Sequence, residues 1–169
     1  REIPFTEMTF EEWREVMAIS LDGSFHCVKA VLPGMIAAGG GNIITLAGDT
    51  AFTGAVGKVH SSSAKSGLAG MTRALARELG PQGIRVNACS AGPLRTLAGR
   101  GAGVDDMLPL YEMMAPLGRN ITHEEVGRVG GFLLSHLSGG ITGEILHVDG
   151  GYNVMGSPGR LLDKLPRKG

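Results

Sequence analysis

The stretch Val59-His60-Ser61-Ser62-Ser63-Ala64-Lys65 opens the most regular apolar pattern of this chain. The apolar residues recur at intervals of three and four and predict one buried helix face: Leu68, Met71, Leu75 and Leu79. Gly80-Pro81 is expected to end that helix, since proline cannot continue its hydrogen-bond ladder. Ser61 and Lys65 are four residues apart and therefore lie on the same face of the first turn.

A hydroxyl and an ammonium held side by side at a helix start suggest a site. The ordinary alternative is a capping serine beside a solvated lysine. The pair alone does not decide between these two interpretations, so the rest of the sequence has to.

The composition excludes several classes of protein. The 169 residues are 43% hydrophobic, which is enough for one domain with its own core. Sixteen basic and sixteen acidic residues cancel, so neither a nucleic acid nor an anionic membrane is an expected partner. No apolar run is long enough to span a membrane, and no signal peptide opens the chain. We therefore expect one cytoplasmic α/β domain over residues 1–169.

Metal and disulfide chemistry are not indicated. Cys27 and Cys89 lie far apart with no CxxC or Cys/His spacing, so both are expected to be buried free thiols in a reducing compartment. His123, His136 and His147 have no partner at ligand spacing, so no metal site is predicted.

Short β-rich runs alternate with helical patterns along the chain. The runs at 42–47, 84–89 and 144–148 predict three strands. Capping-box spacing predicts helices after Thr9 and Thr122, and residues 107–114 also read as helix. The helix after Thr9 is expected to kink or end at Pro33-Gly34. This alternation predicts a parallel sheet with helices on both faces.

Three segments are expected to be irregular. Residues 48–58 read as a loop, and the connection over 90–106 has a length that is usually functional or mobile. The tail over 154–169 is predicted to lie on the surface. Three strands are few for a parallel sheet, so a partner or a further segment is expected to cover an open edge.

Five separated motifs follow one another along the chain: Trp13 through Gly23-Ser24-Phe25, Asn42-Ile43-Ile44, Lys65-Ser66-Gly67-Leu68, Gly83-Ile84-Arg85-Val86-Asn87 and Val148-Asp149-Gly150-Gly151. Their order and spacing resemble the short-chain dehydrogenase/reductase family over residues 9–153. The resemblance implies the C-terminal part of a Rossmann-like, doubly wound fold. The family's glycine-rich fingerprint has no match, so the adenosine and pyrophosphate sites are expected to lie outside these residues. The chain alone is therefore expected to be inactive.

The active-site positions of that family are only partly kept. The family uses a tyrosine four residues before the lysine, a serine near a strand end and an asparagine in the long helix. This chain keeps Lys65 but has Ser61, Gly48 and Ser20 at those positions, and its tyrosines at 111 and 152 lie elsewhere. A phenol beside an ammonium can be brought towards neutrality, whereas a serine hydroxyl cannot. Ser61 is thus a poor proton donor, and ketone reduction is disfavoured.

A subset of the family departs from the pattern in the same way. The stretch 59–65 resembles the 2,4-dienoyl-CoA and trans-2-enoyl-CoA reductases, which have a small residue in place of the tyrosine. In their chemistry, hydroxyl and ammonium donors can stabilise an enolate oxygen without giving up a proton. The resemblance implies that Lys65 holds the nicotinamide ribose and that Ser61 hydrogen-bonds the thioester oxygen. The acid that protonates carbon has no clear match. His60 is a weak candidate for it, since it points off the face of Ser61 and Lys65, and it is expected to be structural instead.

A second segment supports this interpretation. Ser90-Ala91-Gly92-Pro93-Leu94-Arg95-Thr96 resembles the enoyl-acyl-carrier-protein reductase version of the motif that follows this strand in the family. The resemblance implies that Gly92, the backbone near Leu94 and the Thr96 hydroxyl contact the nicotinamide end of NADP or NAD, with NADP favoured. In either case Gly92-Pro93 is expected to form a tight turn.

The sequence therefore predicts an NAD(P)H-dependent reductase of enoyl or 2,4-dienoyl thioesters, carried on CoA or acyl carrier protein. Two alternatives stay open. One is a 3-oxoacyl-thioester reductase or general alcohol dehydrogenase of the same family, and the other is a truncated, non-catalytic subunit. The resemblance also implies a homo-oligomer, a tetramer or dimer, in which the helices from Trp13 and Ser61 form a four-helix bundle between subunits. Their apolar stripes would then be buried only in the oligomer.

Overall fold

The computed structural model describes residues 2–94 and 104–154, with side chains described for 2–94 and 107–154. Within these residues lies a parallel sheet of three strands, β1 (Gly41–Leu46), β2 (Ile84–Ala91) and β3 (Ile145–Val148), in the order β1-β2-β3. The predicted α/β class is confirmed. The predicted bounds of the strands were wrong by one or two residues at one or both ends.

Helices pack around this sheet. The described ones are α1 (Phe10–Met17), α2 (Gly23–Ala37), α3 (Thr50–Thr53), α4 (Val59–Leu79), α5 (Val104–Met114) and α6 (His123–Leu134). Short turns of 3-10 helix occupy Gly80–Gln82, His136–Ser138 and Tyr152–Val154. The expected loop over 48–58 therefore contains a helical turn, which the Asp49 side chain caps by accepting from the Thr50 N–H at 2.8 Å.

The capping boxes at the starts of α1 and α6 are both present. The Thr9 hydroxyl accepts from the Glu12 N–H at 3.2 Å, and the Glu12 carboxylate accepts from the Thr9 N–H at 3.0 Å. Thr122 and Glu125 repeat this arrangement at 3.2 and 2.8 Å. Each box satisfies backbone donors that a helix start leaves without partners. Both predicted helix starts are confirmed.

The long helix is continuous but not regular. A π-helical segment, Ala18–Asp22, joins α1 to α2, and the Ser24 hydroxyl donates to the Ser20 carbonyl there at 2.8 Å. Pro33 lies inside α2, which runs on to Ala37. The helix does not end at the proline because neighbouring turns keep their bonds, such as Ala38 N–H to Gly34 O at 3.0 Å.

The main core lies between the sheet and the α2–α4 layer. Its buried members come from both helices and from β1 and β2: Val28, Ile43, Ala76, Leu79, Ile84 and Val86. On the other face, the Arg85 guanidinium donates to the Leu133 and Ser135 carbonyls at 3.0 Å and so fastens the end of α6 to β2. Helices on both faces of the sheet are therefore confirmed.

Several sequence expectations need correction or lie outside the described residues. Cys89 is buried as expected, but Cys27 is exposed, because it lies on the side of α2 that borders the open edge of β1. Burial raises the pKa of the Cys89 thiol. Thr96 and the tail over 155–169 lie outside the described residues. Over the described ranges, no helix is long and apolar enough to cross a membrane.

Candidate active site

The carboxyl ends of the three strands bring chemically active residues to one edge of the sheet. Pairing continues just past the ends of the strands, since the Asp49 N–H donates to the Ala91 carbonyl at 3.2 Å and the Gly92 N–H to the Val148 carbonyl at 3.0 Å. Gly48-Asp49, Gly92 and Asp149 therefore meet there. In open α/β sheets this edge is where ligands bind.

Lys65 reaches this edge from α4. Its ammonium donates to the Leu46 carbonyl at 2.7 Å, at the last residue of β1. Burial lowers the pKa of Lys65. An ammonium has three N–H donors, so two remain for a bound molecule after the bond to Leu46.

Ser61 lies one helical turn before Lys65, as the helix over Val59–Leu79 requires. Its side chain is half-buried. His60 is only 4% exposed, and its Nδ1 accepts from the Ser61 N–H at 2.8 Å. The imidazole therefore satisfies a free N–H at the helix start, as the structural role predicted for His60 requires.

Gly92 packs directly against Asp149. A Cβ added at Gly92 would lie 2.7 Å from the Asp149 Cβ and 2.8 Å from its Cα, so no larger residue fits without moving the backbone. Leu94 follows and is half-buried. Of the three residues assigned to the cofactor after β2, Gly92 and Leu94 thus lie at this edge, and Thr96 is outside the described residues.

Asp149 holds the turn that follows β3. It is 5% exposed, and its carboxylate accepts from the Gly151 N–H at 2.9 Å, the Asn153 N–H at 2.9 Å and the Asn153 amide at 2.7 Å. The expected turn is present. Because both oxygens of this carboxylate accept N–H bonds, Asp149 is a fixed acceptor in the site.

Asp49 has different surroundings. It is half-buried, and one of its oxygens accepts from the Thr50 N–H. Burial raises the pKa of the Asp49 carboxyl, and the charge of Asp149 raises it further. The Thr50 bond, the N–H of Asp49 itself and the charge of Lys58 oppose this shift only in part.

Two tyrosines complete the edge. The rings of Tyr111 and Tyr152 meet edge to face with centroids 5.5 Å apart. The pKa of Tyr152 is raised by burial first, then by Tyr111 and by Asp49, so Tyr152 and Asp49 are close enough to interact electrostatically.

Sequence reasoning missed this group of residues. Tyr152 is 103 positions from Asp49 in the chain, so no spacing rule relates the two. The only available signal for Asp49 was its place directly after Gly48, the position at which the resembled family has its serine.

A family model described as "Enoyl-(Acyl carrier protein) reductase" matches residues 1–153 of the chain. The chain belongs to this family of short-chain dehydrogenases/reductases. The membership confirms the resemblance drawn from the five motifs, and with it the Rossmann-like interpretation of the sheet.

Individual relatives agree. The chain is 43% identical over 157 residues to the enoyl-[acyl-carrier-protein] reductase [NADH] FabI of Synechocystis sp., covering 90% of the chain and 58% of that protein. It is 38% identical over 147 residues to the 3-oxoacyl-[acyl-carrier-protein] reductase FabG of Aquifex aeolicus, covering 87% of the chain and 59% of that protein.

A solved structure shows the same fold. The gluconate 5-dehydrogenase of Burkholderia cenocepacia, in complex with NADP and tartrate, superposes with a TM-score of 0.87 at 27% identity. The match covers 91% of this chain and 61% of that one. The chain thus spans about three fifths of the length of each of these three proteins.

The edge of the sheet fits the nicotinamide end of a dinucleotide. Lys65 has spare donors for ribose hydroxyls, and Gly92 presents its backbone where a side chain would clash with Asp149. Within residues 2–94 and 104–154 the adenosine end has no such match, because Gly39 and Gly40 follow α2 and Gly41 begins β1, so this glycine run does not lie between a strand and the helix after it. In the described residues, no group of three or more His, Cys, Asp or Glu side chains could hold a metal ion.

Proposed function

We propose that the protein reduces the carbon–carbon double bond of enoyl or 2,4-dienoyl thioesters with NAD(P)H. One observation carries the proposal. A half-buried ammonium lies at the carboxyl edge of the sheet, and the residue one turn before it is a serine where a ketone reductase of this family has a tyrosine. The similarity to FabI supports the same conclusion.

Each site residue has a defined task in this proposal. When bound, NAD(P)H supplies a hydride, and Lys65 together with the backbone at Gly92 and Leu94 holds its nicotinamide end. Thr96 is assigned to the same end by the motif over 90–96. The Ser61 hydroxyl donates a hydrogen bond to the thioester oxygen and stabilises the negative charge that develops there. Serine serves this task without losing its proton, so a high hydroxyl pKa is no handicap.

A 3-oxoacyl-thioester reductase is the second candidate, favoured by the 38% identity to FabG. Ketone reduction ends in an alkoxide, which must receive a proton directly from an acid near it. Serine is a weak acid, so Ser61 makes this the less favoured activity. A non-catalytic subunit is the third possibility, and any cofactor-dependent turnover would exclude it.

The remaining assignments follow from the same proposal. We assign NADP ahead of NAD as cofactor, an acyl thioester on CoA or acyl carrier protein as substrate, and the cytoplasm as location. We also propose a homo-oligomer, for which the partly exposed long helix offers a surface. Neither nucleic acid nor membrane is assigned as a partner.

Replacing Lys65 tests the assigned cofactor site. In the full-length protein, Lys65→Ala should weaken NADPH binding, measured by fluorescence titration, and should reduce turnover of crotonyl-CoA by at least about 100-fold. The exposed lysine Lys29 on α2 offers a matched control, and Lys29→Ala should leave both quantities unchanged. If Lys65→Ala keeps the affinity and the turnover of an active wild type, the assigned role of Lys65 is wrong.

A further inference from the structure

We propose that the carboxyl group of Asp49 is the acid that protonates the substrate carbon in the reaction proposed above, on which this inference rests. No residue of this chain clearly matches the acid that the resembled family uses. The structure offers a group for it at the residue directly after Gly48.

The position of Asp49 is the first argument. It lies three residues beyond Leu46, whose carbonyl holds the Lys65 ammonium, and its N–H donates to Ala91, the residue before Gly92. The carboxyl group is thus at the same edge of the sheet as the residues assigned to the nicotinamide. Asp49 is half-buried, so its side chain keeps part of its surface exposed.

The contrast with Asp149 is the second argument. Asp149 uses both oxygens to accept three N–H bonds, and it therefore acts as a permanent acceptor. The Asp49 carboxylate accepts from the Thr50 N–H and interacts with the N–H of Asp49 itself, but it faces the negative charge of Asp149 as well as burial. Asp149 is thus occupied as an acceptor, which leaves Asp49 as the carboxyl group at this edge that is available to donate a proton.

The other groups near Asp49 are less suited to the task. Tyr152 faces it, but burial moves the pKa of that phenol upward, away from neutrality. Lys58 acts on Asp49 only as a weakly opposing charge. The His147 Nδ1 lies 3.9 Å from the Asp149 Oδ2, and the His147 ring packs edge to face on the Phe52 ring, with their centroids 4.7 Å apart. Asp49 is the group here whose raised pKa brings its proton transfer closer to neutral pH.

The proposed reduction adds a hydride to C3 and a proton to C2. Hydride from the reduced nicotinamide forms a C–H bond at C3 of the enoyl group, and the electron pair of the double bond moves to the thioester oxygen. The Asp49 O–H bond then breaks while a C–H bond forms at C2, which restores the thioester carbonyl. The Asp49 carboxylate is left ionised and takes a proton from water. The double bond is reduced and the nicotinamide is oxidised.

The test compares three variants of the full-length protein with NADPH and crotonyl-CoA. Asp49→Asn keeps an oxygen that can accept from Thr50 but cannot donate an acidic proton, and it should lower kcat by about 100-fold or more. NADPH affinity should stay within about twofold, because general-acid catalysis does not contribute to cofactor binding. Asp49→Glu should keep part of the activity. Glu78→Gln, at an exposed site far along α4, should match wild type.

The pH dependence gives a readout that a structural role would not change. Wild-type kcat should fall as pH rises through the pKa of Asp49, since the acid must carry its proton, and this limb should vanish in Asp49→Asn. Carbon-13 NMR of the Asp49 carboxyl provides a measurement without turnover: its titration midpoint should lie above the ordinary aspartate value of about 3.9.

The experiments distinguish a wrong role for Asp49 from a wrong proposed function. An active wild type with an equally active Asp49→Asn variant overturns the role of Asp49 and leaves enoyl reduction intact. A midpoint for Asp49 at or below the ordinary value also overturns it, even if Asp49→Asn does not fold. A wild type that turns over no enoyl or dienoyl thioester refutes the proposed function itself.

Discussion

The ionised form of Asp49 lowers the stability of the folded protein. The ionised carboxylate is half-buried and near the charge of Asp149, and both effects disfavour its charged form. Residues with displaced pKa values are common at functional sites, where activity is gained at the expense of stability. This loss of stability can be measured without any substrate.

The stability of the protein should therefore depend on pH through Asp49. The pKa of Asp49 is raised in the folded state. The stability that this group contributes is therefore fully present below the unfolded pKa, about 3.8, and is lost as pH rises through the folded pKa. Asp49→Asn should then raise the melting temperature at pH 8 and should give no gain at pH 3. Thermal melts at the two pH values measure this. A variant that loses stability at pH 8 would contradict the account of its surroundings.

The residue scale is also where sequence reasoning reached its limit. The shared helix face of Ser61 and Lys65 follows from their spacing of four residues, which is readable from sequence, whereas the roles of the two side chains come from the resemblance to the family. Tyr152 and Asp49 are far apart in the chain, and only the fold of the sheet brings them close enough to interact. The exposure of Cys27 likewise depends on what lies beside α2, which no local pattern records.

At the scale of elements, α4 is held on the sheet by a buried pair of hydroxyls. Thr45 on β1 and Thr72 on α4 are 6% and 0% exposed, and their hydroxyls are 2.7 Å apart. Each hydroxyl is the other's partner, so removing one leaves the second unsatisfied in an apolar layer. This bond also fixes the position of the helix that carries Ser61 and Lys65.

A double-mutant cycle should show this dependence. Thr72→Val or Thr45→Val alone should lower the free energy of unfolding by about 1–3 kcal/mol, because each leaves one buried hydroxyl without a partner. The double variant should be less destabilised than the sum of the two single variants, since no hydroxyl is then left unpaired. Urea titrations measure all three. Additive effects would show that the two hydroxyls do not act as a pair.

Element boundaries were predictable where their cause is local. The capping boxes at Thr9 and Thr122 involve residues three apart, and both helix starts were correct. The π-helical segment Ala18–Asp22 was not predicted. It lies where α4 packs on the long helix, with Gly67 so close to Leu21 that an added Cβ would be 2.9 Å from a Leu21 methyl. A tertiary contact of this kind leaves no periodic pattern in the sequence, so the π-helical segment could not be predicted.

At the scale of the whole molecule, the chain exposes a large apolar surface on its first long helix. Phe10, Ile19 and Phe25 are 68%, 71% and 49% exposed. Large exposed apolar patches mark interaction surfaces. This is the surface that the proposed homo-oligomer would bury.

Ile19→Glu should therefore dissociate the full-length protein, because it places a charge in the proposed interface. Size-exclusion chromatography with light scattering should show a lower mass than wild type. Leu137→Glu is a control of equal chemistry, at a residue that is 73% exposed in the turn after α6. An unchanged mass for Ile19→Glu, or dissociation by Leu137→Glu alone, would contradict an interface on the long helix.

The site proposed at this edge of the sheet reduces a carbon–carbon double bond and not a ketone. A competition reaction distinguishes the two activities: the full-length protein receives NADPH with equal concentrations of crotonyl-CoA and acetoacetyl-CoA, and mass spectrometry identifies the products. We expect butyryl-CoA as the main product, because Ser61 and Lys65 stabilise an enolate oxygen but Ser61 is a poor acid for an alkoxide. A reaction that yields 3-hydroxybutyryl-CoA and leaves crotonyl-CoA unchanged would contradict it.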